Sequence, residues 1–107
     1  MDKKPLAKVL VNVAGKKYEA SSEGVGPVDA MINALKIALT NHIDFALSNY
    51  NVQIRSKGTD AVVYVEMKLV HNGVVSVGKG TSPDILQASI ESFEHAYNGI
   101  ASRHNQN

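Results

Sequence analysis

Apolar and polar residues alternate from Lys8 onward, with Val9, Val11 and Val13 on one parity and Lys8, Leu10 and Asn12 on the other. That period of two predicts a half-buried strand. Gly15-Lys16 turns the chain into a second short strand, Lys17-Tyr18-Glu19-Ala20. The period then lengthens: Val28, Ile32, Leu35 and Leu39 recur at helical spacing, which predicts a helix from Pro27 to about Asn41. Ala30, Ala34 and Ala38 give that helix small positions for close packing. Residues 42–47 follow neither period and read as a helix end and a connection. Tyr50, Val52 and Ile54 share a parity and predict a third strand running to Lys57, which Gly58-Thr59-Asp60 turns. Val63, Val65, Met67 and Leu69 alternate with Val62, Tyr64, Glu66 and Lys68 in the clearest strand of the chain. Asn72-Gly73 is a two-residue hairpin signal, leading to a fifth strand, Val74 to Val77. Ser82 as cap and Pro83 as first residue open the last helix, whose stripe is Leu86, Ile90, Phe93, Tyr97 and Ile100.

The order is ββα followed by βββα. Antiparallel strands with helices on one face make a two-layer α+β domain. One domain over residues 1–107 is expected, with a core at 8–98 and polar tails at 1–7 and 99–107. One arrangement occurs twice. Gly24-Val25-Gly26-Pro27-Val28-Asp29-Ala30 sets a glycine pair before a proline and an aspartate, and Gly78-Lys79-Gly80-Thr81-Ser82-Pro83-Asp84-Ile85 repeats the layout. Both read as helix entrances, and the pair suggests two halves related by a pseudo-twofold axis.

Composition narrows the classes. The chain has 107 residues, 44% of them hydrophobic, with a formal net charge of +1 and no cysteine. That is enough for one core, provides no strong field for nucleic acid or anionic membrane, and excludes disulfides and thiol chemistry. The apolar runs are short of membrane-spanning length, and the first residues lack a secretory hydrophobic segment. A soluble cytoplasmic domain is expected. Catalytic signatures are absent: no Gly-x-Ser-x-Gly, no His-Glu-x-x-His, and carboxylates scattered singly. His42, His71, His95 and His104 show no ligand spacing and read as solvated, so neither a metal nor a cofactor is expected.

The glycine pairs lack the third glycine or the Lys-Ser/Thr that a nucleotide site needs. They read either as tight turns with good caps or as anion-capturing helix starts. In the second reading Asp29 or Asp84 answers an ammonium group, and apolar neighbours hold the tail of a small zwitterion. A double-stranded-RNA-binding module has a similar strand pair and Ala-rich helix, but Pro27-Val28-Asp29-Ala30 carries the wrong charge for phosphates. A structural or nucleic-acid-binding α+β domain stays as the alternative class.

The ordered set Gly24–Ala30, Tyr50, Gly58-Thr59-Asp60-Ala61, Gly78-Lys79-Gly80, Asp84-Ile85-Leu86-Gln87-Ala88-Ser89 and Tyr97-Asn98 resembles the C-terminal regulatory domain of 2-isopropylmalate synthase. Citramalate synthase carries a similar domain. The resemblance runs from about Lys8 to Asn98. It implies a non-catalytic unit that forms a homodimer and binds the end-product amino acid, inhibiting a separate TIM-barrel catalytic domain. Leucine is the effector implied by the first family and isoleucine by the second. Carried over residue by residue, Gly24, Gly26, Val28 and Asp29 match the first ligand-contacting entrance. Tyr50 matches an aromatic lining the pocket, and Ile54 and Ala61 match its wall. Ile85, beside Gly80 and Asp84, matches the second entrance. Plain core packing is the competing reading for Tyr50, Ile54 and Ile85. Val25 departs from the Asn or Asp common between the glycines, and the short connection from His42 to Tyr50 leans towards the leucine type.

Overall fold

The computed structural model describes residues 3–104, so Met1, Asp2 and residues 105–107 of the expected polar ends lie outside the described residues. Seven elements follow one another: β1 (Leu6–Val13), β2 (Lys16–Glu23), α1 (Pro27–Ala38), β3 (Ala46–Lys57), β4 (Asp60–His71), β5 (Val74–Ser82) and α2 (Ile85–His104). The architecture is α+β, with every strand pair antiparallel, in two sheets ordered β1-β2 and β3-β4-β5. The chain divides into two compact units between Asp44 and Phe45. In each, a helix lies against its own sheet.

In the first unit the hairpin turns on Ala14 and Gly15, both at positive φ (53° and 84°), the primed geometry that matches strand twist. The register pairs Val13 with Lys16 and Val9 with Ala20. Val9, Val11, Val13, Tyr18 and Ala20 are half-buried or buried, while Leu6, Lys8 and Leu10 are exposed. Helix α1 buries Ala30, Met31, Ile32, Ala34, Leu35 and Ala38. Burying a side chain the size of Leu35 contributes about 1.5–3 kcal/mol. The helix stops at Ala38 rather than near Asn41, because Thr40 and His42 donate to Ile37 and Leu39, three residues back. That tighter turn unwinds the α-helical ladder.

The second unit departs further from the alternation in the sequence. Strand β3 begins at Ala46, not Tyr50. An irregularity between Leu47 and Asn49 sets Leu47 opposite Leu69 and Tyr50 opposite Met67. Odd and even residues thus share one face across the bulge, which hides the period. Strand β4 is central and buries Val63, Val65, Met67 and Leu69. Strand β5 runs on to Ser82, so Gly78 and Gly80 lie inside it, opposite Met67 and Val65. This corrects the second glycine pair: it is strand, not helix entrance.

The reason lies in α2. A Cβ on Gly80 would collide with the Ala88 carbonyl and the Ser92 amide, and one on Gly78 with the Ser92 carbonyl and the Ala96 amide. Helix backbone rests directly on strand backbone, through Ala88, Ser92 and Ala96 on the helix. The buried Ser92 hydroxyl donates to the Gly78 carbonyl (2.8 Å), so no polar group is stranded there. The expected stripe is therefore only partly right: Phe93 and Ile100 are buried, whereas Leu86 and Ile90 are exposed. Phe93 stacks with Tyr97 (5.6 Å), and Phe45, read as connection, packs on both rings at 5.3 and 5.9 Å. Residues 6–7 and 99–104 belong to β1 and α2 rather than to tails.

Candidate functional site: the two helix entrances

At the first entrance Gly24 is buried and donates its N–H to the Pro5 carbonyl (3.1 Å). A Cβ there would sit 2.7 Å from the Ala30 Cα, so the chain needs glycine for this approach. Gly26 is the N-cap, at φ −136° and ψ 174°, with no side-chain cap and nothing within 4 Å of a Cβ built on it. Any residue adopts that backbone, so nothing inside the chain demands glycine at this position. Pro27 opens the helix. Asp29 reaches back, and its Oδ2 accepts the Val25 N–H (2.9 Å), pinning the loop and placing a carboxylate at the positive end of the helix. The first-turn N–H groups of Val28 and Asp29 have no acceptor within an α-helix.

The second entrance is built differently. Asp84, not Ser82, caps α2: its Oδ1 accepts the Leu86 N–H (2.9 Å), and its carbonyl accepts the Ala88 N–H (3.0 Å). The Ser82 Oγ accepts the Asp84 N–H (3.1 Å), one step outside the helix. Pro83 therefore precedes the cap. A shift of 58 residues, the separation of Ala14 from Asn72 and of Pro27 from Ile85, aligns both hairpin turns and both helix starts. Gly24 then corresponds to Ser82, Gly26 to Asp84, and Gly78 and Gly80 to Ala20 and Ser22. Matching Gly24 with Gly78 by sequence is four residues out of register.

Of the other expected site residues, the sheet register sets Tyr50, Ile54, Ala61 and Gly80 on the face that α2 crosses. Tyr50 is half-buried, its hydroxyl 2.9 Å from the buried Ser89 Oγ. Ile54 is 65% exposed and Ile85 is 41% exposed, so neither is core. Ala61 is exposed beside the β3–β4 turn. Gly80 lies under the α2 backbone. Sequence reading missed Ser89 as the partner that orients Tyr50; a serine in an apolar stretch four residues after Ile85 was its only signal.

The opposite face of this sheet carries a shallow concavity of about 260 Å³, open to solvent, with Gln53, Arg55, Tyr64, Glu66 and Lys79 along it. The Arg55 guanidinium lies 5.3 Å from the Tyr64 ring centroid. Only Gly80 of the expected site residues borders it. Among the described residues no three His, Asp or Glu side chains cluster as a metal site would require, and no helix is long and apolar enough to cross a membrane. His42 packs edge-on against Tyr18 (4.6 Å), and the His95 Nδ1 lies 3.1 Å from the Lys79 carbonyl.

The model of the LeuA allosteric (dimerisation) domain matches residues 1–101. The chain belongs to this family. It is 39% identical over 102 residues to a candidate (R)-citramalate synthase, CimA, of Methanopyrus kandleri, covering 92% of this chain and 20% of that protein. It is 37% identical over 94 residues to the 2-isopropylmalate synthase of Parabacteroides distasonis (87% of this chain, 18% of that one). Against the 2-isopropylmalate synthase of Nitratidesulfovibrio vulgaris the identity is 35% over 99 residues (92% and 19%). The chain spans about a fifth of the length of these relatives. It is a LeuA-type allosteric dimerisation domain.

Proposed function

We propose that this LeuA-type domain is a feedback sensor for a branched-chain aliphatic amino acid, leucine favoured, and that it acts as a homodimer on a cytoplasmic 2-isopropylmalate synthase catalytic domain. The observation that carries the reading is the match over residues 1–101 to an allosteric domain whose relatives are synthases five times as long. The local geometry supports it. Gly26 is a cap glycine with no steric reason within the chain, as expected where a ligand must approach the backbone. The helix-start N–H groups of Val28 and Asp29 suit a carboxylate. Asp29 and Asp84 keep carboxylate charge at the two entrances, where an ammonium group finds an acceptor. Ile54, Ala61 and Ile85 offer exposed apolar surface to an aliphatic tail, beside a tyrosine held by Ser89. Gly80 acts by letting α2 settle on the sheet. Inhibition follows only if the amino acid binds the active and inhibited states of the synthase unequally.

Isoleucine is the second reading, favoured by the relatives named as citramalate synthases. Moving one methyl changes apolar burial by only about 0.8 kcal/mol, so the two ligands must be compared directly. Calorimetric titration of the domain with leucine, isoleucine and valine is expected to give saturable binding, strongest for leucine. No binding of any of the three would overturn the proposal, and preference for isoleucine would move it to the citramalate type. Gly26→Val is expected to remove binding while circular dichroism and the unfolding midpoint stay close to the parent. Undiminished binding in that variant would move the site away from the first entrance.

A further inference from the structure

Helix α2 buries Ser89 and Ser92 completely, and the two serines do different things. The Ser92 hydroxyl donates to a backbone group, the Gly78 carbonyl (2.8 Å), where helix and strand touch. The Ser89 Oγ meets a side chain instead, the Tyr50 hydroxyl at 2.9 Å, 39 positions away in sequence. Burial on this helix does not call for a hydroxyl, since Ala88 and Ala96 are as fully buried with a methyl alone. A buried hydroxyl is unfavourable unless it is bonded. What Ser89 adds over alanine is therefore its bond to Tyr50.

That bond fixes a ring at its far end. Tyr50 is half-buried, on the sheet face that α2 crosses. The strand holds its Cβ and the helix holds its hydroxyl, so both torsions of the side chain are set. Ile54 and Ile85 are 65% and 41% exposed and end in methyl groups, which no hydrogen bond can hold. Ile85 lies one turn before Ser89 on the same side of α2. Among the large side chains assigned to the aliphatic slot, Tyr50 is the one that is tethered.

Rigidity matters for one comparison in particular. Leucine and isoleucine are isomers, so burial by apolar area treats them alike. Only a wall that does not give can sense where the branch lies. Valine is one methylene shorter, and any apolar slot, rigid or soft, holds it less tightly.

We infer that Ser89 is a positioning residue for the effector site: by holding the Tyr50 hydroxyl it makes the ring a rigid wall, and that wall sets the preference between leucine and isoleucine. This rests on the reading that the domain senses a branched-chain amino acid with Tyr50 at the site. Ser89 is fully buried and acts through Tyr50, not by contact with the ligand.

Calorimetric titration of Ser89→Ala and Tyr50→Phe with leucine, isoleucine and valine tests the inference. Both variants remove the same bond, one from the helix and one from the strand, and Tyr50→Phe keeps the ring. The same result is expected in each. The parent's leucine-to-isoleucine affinity ratio, about fourfold for one methyl held out of contact, falls towards unity, while the leucine-to-valine ratio stays. Combining the two changes should move the ratio no further, because the bond is already gone. A role confined to supporting the fold would weaken all three ligands by one factor, or shift only the unfolding midpoint, and either result overturns the inference. An unchanged leucine-to-isoleucine ratio in either folded variant also overturns it, as does a parent that binds the two isomers equally. Should Ser89→Ala fail to fold, Tyr50→Phe decides alone. A parent that binds none of the three overturns the sensor reading itself, whereas saturable binding with an unaltered ratio overturns only the role of Ser89.

Discussion

The two units build one ββα arrangement with their glycines in opposite places. The first puts glycine at the helix entrance, at Gly24 and Gly26, and carries Ala20 and Ser22 beneath the helix. The second puts Gly78 and Gly80 beneath the helix and closes its entrance with Ser82 and Asp84. Glycine thus marks where backbone meets backbone, and that place differs. In the first unit the strand end runs against the first turn of α1. In the second, α2 lies along β5 from Ala88 to Ala96. Gly26 fits neither case, since a side chain there meets nothing, and this singles it out.

The largest expected effect tests that contrast. Gly78→Val would push side-chain atoms into the Ser92 carbonyl and the Ala96 amide and lift α2 from the sheet. Overpacking of this kind costs about 3 kcal/mol. The equivalent change in the first unit, Ala20→Gly, removes one methyl and loosens a strand, for about 1 kcal/mol. Urea unfolding of both variants checks the difference. Equal midpoints would mean that α2 has slack over β5, and that the two units do not differ as described.

Much of this fold was legible because periodicity reports burial. Val63, Val65, Met67 and Leu69 alternate cleanly because β4 is central and the bulge in its ladder with β3 lies on β3, leaving β4 itself regular. The β1–β2 and β4–β5 hairpins each turn on two residues at positive φ, and of the two Asn72-Gly73 announces itself by composition. What failed did so for physical reasons. A strand that packs through glycine has no side chains to alternate, so β5 seemed to end at Val77. A helix that rests on its strand through Ala88, Ser92 and Ala96 has small residues at the centre of its buried face, so a stripe drawn through Leu86 and Ile90 started on the exposed side before reaching the buried Phe93 and Ile100. The bulge after Leu47 reversed parity and hid the start of β3. For the site, the residue types at the first entrance were readable, because a close approach and a helix start each leave a chemical mark. The Tyr50–Ser89 contact was not, since it joins residues 39 apart with no shared pattern.

A middle-sized effect concerns the caps. Asp84→Ala removes the acceptor for the Leu86 N–H and should cost about 1 kcal/mol. Gly26→Asp gives the first entrance the cap that the second already has, on a backbone that accepts any residue, and should gain a few tenths, about 0.3 kcal/mol. Thermal unfolding of both checks the signs. Destabilisation by Gly26→Asp would show that the space beside Gly26 is filled in solution, by a partner or a ligand, and would sharpen the contrast between the entrances.

The smallest effect distinguishes β2 and β5, two edge strands that a helix side chain reaches. Asn33 and Glu91 occupy equivalent helix positions under the same shift, and each reaches the strand residue three before the helix cap, Glu23 and Thr81. Their polarity is opposite: Asn33 donates to a carbonyl, whereas Glu91 accepts from an N–H. Each bond is partly solvated, so Asn33→Ala and Glu91→Ala should each cost about 0.5 kcal/mol. Their exchange signatures should differ all the same. Glu91→Ala frees the Thr81 amide and should speed its exchange, while Asn33→Ala frees only an acceptor and should leave the Glu23 amide unchanged. Matching behaviour in the two variants would mean that the edges are guarded by the helix as a whole rather than by these side chains.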